Sequence, residues 1–402
     1  MCCKQNHDEL ETASAEALYV HVPFCRAKCA YCDFCSVPLN ENLAGRVTAA
    51  TRDELASGGA VLTDPPGSIF VGGGTPTALP ASLLGELLGD LATLAGTGTE
   101  FSVEANPGTL DSTTIARLAD AGVNRVSLGV QSFHADELAM LERIHTPRQA
   151  RLAAENLRRA GFENIGVDLM YALPGQSADS WRLSLLEAIE LGVDHVSCYA
   201  LSFEEGTKFA SRRSAGELRE MDDDLQADLY HQARETLQAA GLRQYEISNF
   251  ARPGFECRHN IVYWRNEPYL GVGPAAAGYI GGERRVNSRS LEEYIRRIET
   301  EGSATAESES LRGAKRLAET LLLGLRLTDG VNRRAFFRRF GTDPVAIFPR
   351  TFRACAKQGL ISISESHIQL NDEALFICNA IFADLLEEAE AIDRREPGES
   401  LS

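Results

Sequence analysis

The sequence predicts an α/β protein: a partial, six-unit (β/α) barrel of TIM-like type followed by a mainly helical, winged-helix-like C-terminal domain. Three observations predict it. Six short apolar runs recur between residues 18 and 199, helix-like stretches separate them, and several of those stretches end in glycine. Apolar runs at this spacing read as parallel strands joined by crossover helices.

Taken in order, the strands are expected at 18–22, 68–71, 100–103, 125–130, 165–169 and 193–199, each a run rich in Val, Ile, Leu or Phe. Helices are expected at 41–57, 81–94, 111–121, 148–160, 180–191 and 222–240. Gly122, Gly161, Gly192 and Gly241 stand where a helix needs a left-handed C-terminal cap. Residues 252–282 are rich in Gly, Pro and aromatic side chains without periodicity, and read as a long irregular functional segment. A polar stretch at 300–310 precedes three helices, 313–325, 333–340 and 344–359, and a short β pair around 360–364 and 367–370. Helices followed by a small hairpin give the winged-helix-like expectation. The domain reading is a disordered N-terminus at 1–16, the barrel at 17–250, an irregular segment packed on it at 251–300, the C-terminal domain at 301–390 and a disordered tail at 391–402. The charged residues from Ala389 onward are expected to fray.

The net charge of −17 argues against nucleic acid and anionic membranes as partners, since both attract a basic field. No apolar run reaches the roughly 18 residues of a membrane span, and the first ten residues lack the apolar stretch of a signal peptide. A cytoplasmic location is expected. Cys25, Cys29, Cys32 and Cys35 cluster beside aromatic residues, which points to metal binding in a reducing compartment rather than to disulfides. Cys198, Cys355 and Cys378 lie in apolar surroundings and are expected to be buried. Cys2 and Cys3 fall in the disordered N-terminus.

Cys25, Cys29 and Cys32 are spaced x3 then x2, so three thiolates can hold three irons of a [4Fe-4S] cube and leave the fourth iron open. Cys35 is a fourth thiol nearby. It could close the site into an electron-transfer cluster or a four-cysteine zinc centre. Val71-Gly-Gly-Gly-Thr-Pro-Thr77 follows a strand, and its bare backbone, with Gly73 and Gly74, permits close approach of a charged ligand. Glu104, Gln131 and Asp168 stand at or near the ends of three further strands. Each alone could be a helix cap or a satisfied core group. Strand ends of a parallel barrel share one face, however, and the cysteine loop opens on that face too.

The cluster spacing resembles the radical S-adenosylmethionine (SAM) superfamily, and over roughly residues 18–380 the chain is similar to its oxygen-independent coproporphyrinogen-oxidase-like branch, specifically to the heme chaperones there. The resemblance implies a radical SAM barrel in which SAM chelates the open iron and an electron cleaves its C5′–S bond. It assigns Tyr19, Gly73, Gly74, Thr75, Glu104, Gln131, Arg143 and Asp168 to SAM, with Tyr31 beside the adenine. Without it, Arg143 in Leu-Glu-Arg-Ile-His reads as a solvated helix face. The oxidases of the branch carry a cysteine where this chain has Phe34, giving the Cys-Asp-Phe of the chaperones. His259-Asn-Ile-Val-Tyr-Trp264 resembles a HNxxYW motif linked to heme binding, with imidazole as axial ligand and Tyr263 and Trp264 as flat faces for a porphyrin. Cys257 is a competing ligand, and a structural His–Asn pair is the alternative to both.

The implied cofactors are the cluster, SAM and heme, and the implied partners are heme and heme-acceptor proteins such as respiratory enzymes. A homodimer is compatible with the sequence. No residue receives a catalytic role. The rival readings are coproporphyrinogen III decarboxylation and a SAM-dependent methyl transfer.

Overall fold

The structure, a computed structural model, describes residues 14–394. Cys2, Cys3 and the tail from residue 395 lie outside the described residues. The chain opens with strand β1 (Ala17–Val22) and a parallel pair, β2 (Phe24–Cys25) with β3 (Val37–Pro38), that clamps the base of the cysteine loop. Repeating units follow: α1 (Glu41–Gly58), β4 (Ser68–Gly73), α2 (Ala81–Leu94), β5 (Glu100–Ala105), α3 (Ser112–Asp120), β6 (Arg125–Gln131), α4 (Ala135–Met140), α5 (Pro147–Arg159), β7 (Asn164–Tyr171), α6 (Ala178–Glu190) and β8 (His195–Ala200). Then come α7 (Lys208–Ser214) and α8 (Asp223–Ala239).

Capping side chains start the helices. The Asn40 side chain accepts from Leu43 N, and Thr146 with Gln149 and Ser177 with Ser180 form capping boxes. Gly122, Gly161, Gly192 and Gly241 all take positive φ, as the sequence requires. β1 and β4 through β8 run parallel in sequence order, the predicted six-strand array. Leu18, Val20, Ile69, Val71, Val126, Leu128 and Val167 bury one face of it under the helices. The period of two sends Tyr19, Glu104, Arg125, Ser127 and Asp168 to the other face, inside the barrel.

The segment expected to be irregular is ordered. After β9 (Arg243–Gln244) and β10 (Asn249–Ala251), it forms α9 (Arg258–Trp264), β11 (Tyr269–Val272), β12 (Ala277–Ile280), β13 (Glu283–Asn287) and α10 (Leu291–Glu301). β11 lies parallel against β1, adding a seventh parallel strand, and β12 and β13 extend the sheet antiparallel. These strands are too short and too rich in glycine to show a period. Gly271 is required there, since a Cβ would lie 1.9 Å from the Ala277 carbonyl oxygen. The polar stretch after them is also a strand, β14 (Thr305–Ser310), at the sheet edge, where charged side chains are expected.

The C-terminal unit has its own core, built from α11 (Gly313–Gly324), β15 (Val331–Asn332), α12 (Arg333–Phe340), α13 (Pro344–Ile347), α14 (Pro349–Lys357), β16 (Ile361–Ile363), β17 (His367–Leu370) and α15 (Cys378–Asp393). The helix expected at 344–359 breaks at Phe348, because Pro349 disfavours helical backbone in the residue before it. The tail does not fray at Ala389, which is fully buried. Helix α15 runs on because the Asp393 carboxylate accepts from Ala314 N (2.8 Å) and Lys315 N (3.1 Å) at the start of α11, so residues 391–394 are ordered. Cys198, Cys355 and Cys378 are buried, as expected.

Candidate functional site

A cavity of about 740 Å³ opens at the C-terminal ends of the parallel strands and is lined by Cys25, Cys29 and Cys32. That is within the size range of cofactor pockets. The cysteine loop is tied down from several sides. Ala30 N donates to Leu141 O (3.3 Å), Phe209 N to Ala30 O (3.1 Å) and Arg26 Nη1 to Gly108 O (3.0 Å). His21 Nε2 donates to the Cys35 carbonyl (2.8 Å), which fixes its tautomer, so Nδ1 accepts from the Tyr19 hydroxyl (3.0 Å).

Two of the three thiols are served by side-chain donors. Thr75 Oγ1 reaches Cys25 Sγ at 3.5 Å and Arg143 Nη1 reaches Cys29 Sγ at 3.2 Å. Burial pushes the Cys25 and Cys32 thiols up. Among the described residues no three Cys, His, Asp or Glu side chains converge on one ion position. A cube would offer each thiolate its own iron and so does not require the three sulfurs to meet at one ion. Donors to sulfur plus three half-buried thiols on one cavity wall fit a cluster. Cys35 lines the same cavity, and its Sγ donates to Arg289 O at 3.3 Å.

Deeper in the same cavity the strand ends converge, with Tyr19, Tyr31, Gly73, Gly74, Thr75, Glu104, Gln131, Arg143 and Asp168 all on its walls. Gly73 N donates to Glu104 Oε2 at 3.1 Å. The glycines are explained first by packing: a Cβ on Gly73 would lie 2.4 Å from the His21 ring, and one on Gly74 2.7 Å from the Phe24 carbonyl oxygen. Gln131 takes φ of 69° beside a bulge, which bends the strand end over the cavity. Arg143 is no solvated helix residue. It sits in the turn after α4, with Nη2 on the Gly129 carbonyl and Nη1 on Cys29. Asp168 accepts from Ser197 Oγ (2.7 Å) and Ser127 Oγ (3.2 Å). Burial and then the neighbouring Asp168 push Glu104 up to about 7, against the pull of Gly73 N–H and Arg125. Burial also raises Asp168.

His259, on α9, is buried beside this cavity with both ring nitrogens engaged, Nδ1 with Ser68 Oγ (3.0 Å) and Nε2 with the Tyr263 hydroxyl (2.7 Å). Burial lowers it to about 3, so the ring is neutral. Tyr263 lines the cavity. Trp264 does not; the Arg326 guanidinium of the C-terminal unit covers its ring at 4.7 Å. Cys257 is buried and pushed up to about 12, chiefly by burial. Sequence reasoning missed Arg125, Ser127, His195 and Ser197, which also line the cavity. Their alternation along strands β6 and β8 was the available signal.

A Radical SAM superfamily profile matches residues 19–188, and a HemN C-terminal domain profile matches residues 311–377. The heme chaperone HemW of Bacillus subtilis (strain 168) is 36% identical over 377 residues, covering 93% of this chain and 100% of that protein. The heme chaperone HemW of Escherichia coli (strain K12) is 33% identical over 381 residues, covering 92% and 98%. Among solved structures, coproporphyrinogen III oxidase (HemN) from Escherichia coli, a radical SAM enzyme, superposes with a TM-score of 0.81 at 21% identity, covering 94% of this chain and 91% of that one, and so shares the fold. The chain belongs to the radical SAM superfamily and, in its coproporphyrinogen-oxidase-like branch, to the HemW heme chaperone family.

Proposed function

We propose that this chain is a heme chaperone that carries a SAM-ligated [4Fe-4S] cluster on Cys25, Cys29 and Cys32, binds heme and delivers it to acceptor proteins. The observation that carries the reading is one cavity wall shared by three thiols and by the charged strand ends Glu104 and Asp168. A cluster bound there supplies an open iron for SAM and an electron. The protein's own part is electrostatic. Arg143 and Thr75 donate to the Cys29 and Cys25 sulfurs that would hold the cluster, while Glu104 and Asp168, held by Gly73 N–H and the two serine hydroxyls, offer negative charge to a cationic ligand. Burial raises both carboxyl groups, so a cation beside them is the partner that keeps them ionised.

Heme is assigned to the α9 segment, where His259 would supply an imidazole nitrogen to the iron and Tyr263 a flat flank for the porphyrin; an iron at Nε2 would have to replace the hydrogen bond of that nitrogen to the Tyr263 hydroxyl. The clustered free cysteines suit a reducing cytoplasm. Anaerobically reconstituted protein given dithionite and SAM should retain heme with an imidazole-type Soret band and leave coproporphyrinogen III unchanged. His259→Ala should alter that band and weaken retention while iron and sulfide stay constant. Catalytic formation of protoporphyrinogen IX, or an unaltered heme spectrum and affinity in His259→Ala, would overturn the reading.

A further inference from the structure

We infer that the mouth of the cavity is a carboxylate subsite in which Lys28 and Arg289 pair with the two propionates of heme. The inference rests on the proposed heme reading and adds which edge of the macrocycle faces out. Heme is a flat apolar disc with both carboxylates on one edge. A site for it therefore needs an apolar wall that ends in cations at the water boundary. A wall of that kind leads out from α9.

Tyr263 of α9 meets Tyr269 of β11 edge to face, with ring centres 4.5 Å apart. Ala275 and Ala277 also line the cavity, and their short side chains leave that part of the wall flat. The neighbouring strand then brings a charge to this wall: Ala277 pairs with Val286 of β13, Ala275 N donates to Ser288 O at 3.0 Å, and Arg289 comes next in the chain. Arg289 is exposed and lines the same cavity. Its backbone carbonyl is fixed by the Cys35 thiol at 3.3 Å, whereas its guanidinium makes no hydrogen bond among the described residues.

Lys28 reaches the same rim from the cysteine loop. Its Nζ donates to the Phe34 carbonyl at 3.3 Å, a single bond for an ammonium with three donors. Phe34 and Cys35 are consecutive, so the two cations are tied to neighbouring residues of one loop. Among the described residues no carboxylate lies within ion-pair distance of either cation, although Asp33 and Glu204 line the cavity too. The Phe34 ring is 61% exposed, and an apolar ligand face against it would take that surface out of water. A dicarboxylate with a flat apolar body supplies what both the cations and the ring lack.

The test is a spectroscopic titration of the reconstituted full chain with heme and with heme dimethyl ester, which keeps the ring and the iron but carries no carboxylate charge. At low salt the wild type should bind heme about fivefold or more tighter than the ester, since one exposed ion pair is worth a factor of up to about five. That preference should shrink as salt rises. Lys28→Gln combined with Arg289→Gln should bind heme as weakly as the ester, while ester affinity, the Soret band and iron content stay at wild-type values. Arg289→Gln alone breaks no side-chain hydrogen bond; it should lose part of the preference and keeps the test open if the double variant does not fold. Arg289→Lys should retain most of the preference. A wild type that does not distinguish the two ligands, or variants that still prefer heme as the wild type does, overturns the carboxylate subsite while His259→Ala still alters the band and the heme reading stands. A wild type that retains neither ligand overturns the heme reading, and this inference with it.

Discussion

Cys32 and Cys35 stand three positions apart on one loop and meet different surroundings. All four loop cysteines line one cavity, but the Cys35 thiol donates to Arg289 O and its carbonyl anchors His21, whereas Cys25 and Cys29 receive side-chain donors from the SAM-assigned residues Thr75 and Arg143. Replacing Cys25, Cys29 or Cys32 by Ala should therefore abolish the cluster, read as iron and sulfide per chain after anaerobic reconstitution, and Cys35→Ala should retain it. Equal loss in Cys35→Ala would show that all four thiols are ligands. The spacing of these cysteines was legible because cluster loops depend on a local pattern. Arg143 was not legible from its residues: only the fold reveals that the turn after α4 aims it at Cys29. Trp264 shows the opposite error, since an aromatic ring that suits a porphyrin is covered here by Arg326.

Among the elements, α9 depends on a side chain at the N-terminal end of the parallel strands. Its first turn presents backbone N–H groups that Pro or Ser caps do not serve, and Glu100 on β5 takes them, accepting from Arg258 N at 3.1 Å and His259 N at 3.4 Å. Hydrogen bonds to a charged group are worth about 1.5–3 kcal/mol. Glu100→Ala should accordingly lower stability by about 2–4 kcal/mol in a urea melt and disturb heme binding while the iron content on Cys25, Cys29 and Cys32 stays unchanged. A melt that matches wild type would mean that water serves α9 equally well. The six parallel strands were readable because each buries an apolar face under a glycine-capped helix, so period and punctuation agree. β11 through β14 were unreadable for the converse reason: four to six residues interrupted by glycine or carrying edge charges leave no period to detect. The break before Pro349 was visible in the sequence as a proline signal that the longer helical pattern masked.

At the scale of the whole molecule, the barrel and the C-terminal unit have separate cores and meet along a strip where Glu246 sits. Glu246 bridges to Leu327, Thr328 N donates to Tyr245 O at 3.0 Å, and Arg326 stacks over Trp264. The Glu246 side chain is buried, and no donor meets either oxygen in full hydrogen-bond geometry, although the Ser248 N–H lies near. Burial pushes it up to about 7, although the Ser248 N–H and Arg326 pull it down. A raised carboxyl pKa means that the folded state holds the proton more tightly than the unfolded chain, so stability falls as pH rises from the unfolded value, about 4.5, to about 7. Above that window the full cost is present. Glu246→Gln keeps the shape and removes the charge, and should raise stability at pH 8 by about 2–3 kcal/mol while changing little at pH 4.5. Glu104 and Asp168 titrate in the same direction in both proteins, so the difference between variant and wild type isolates the junction. Thermal melts across this range should show a shallower pH slope in the variant. Parallel slopes would mean that Glu246 is solvated or paired when ionised, and that the junction between the two cores does not respond to pH.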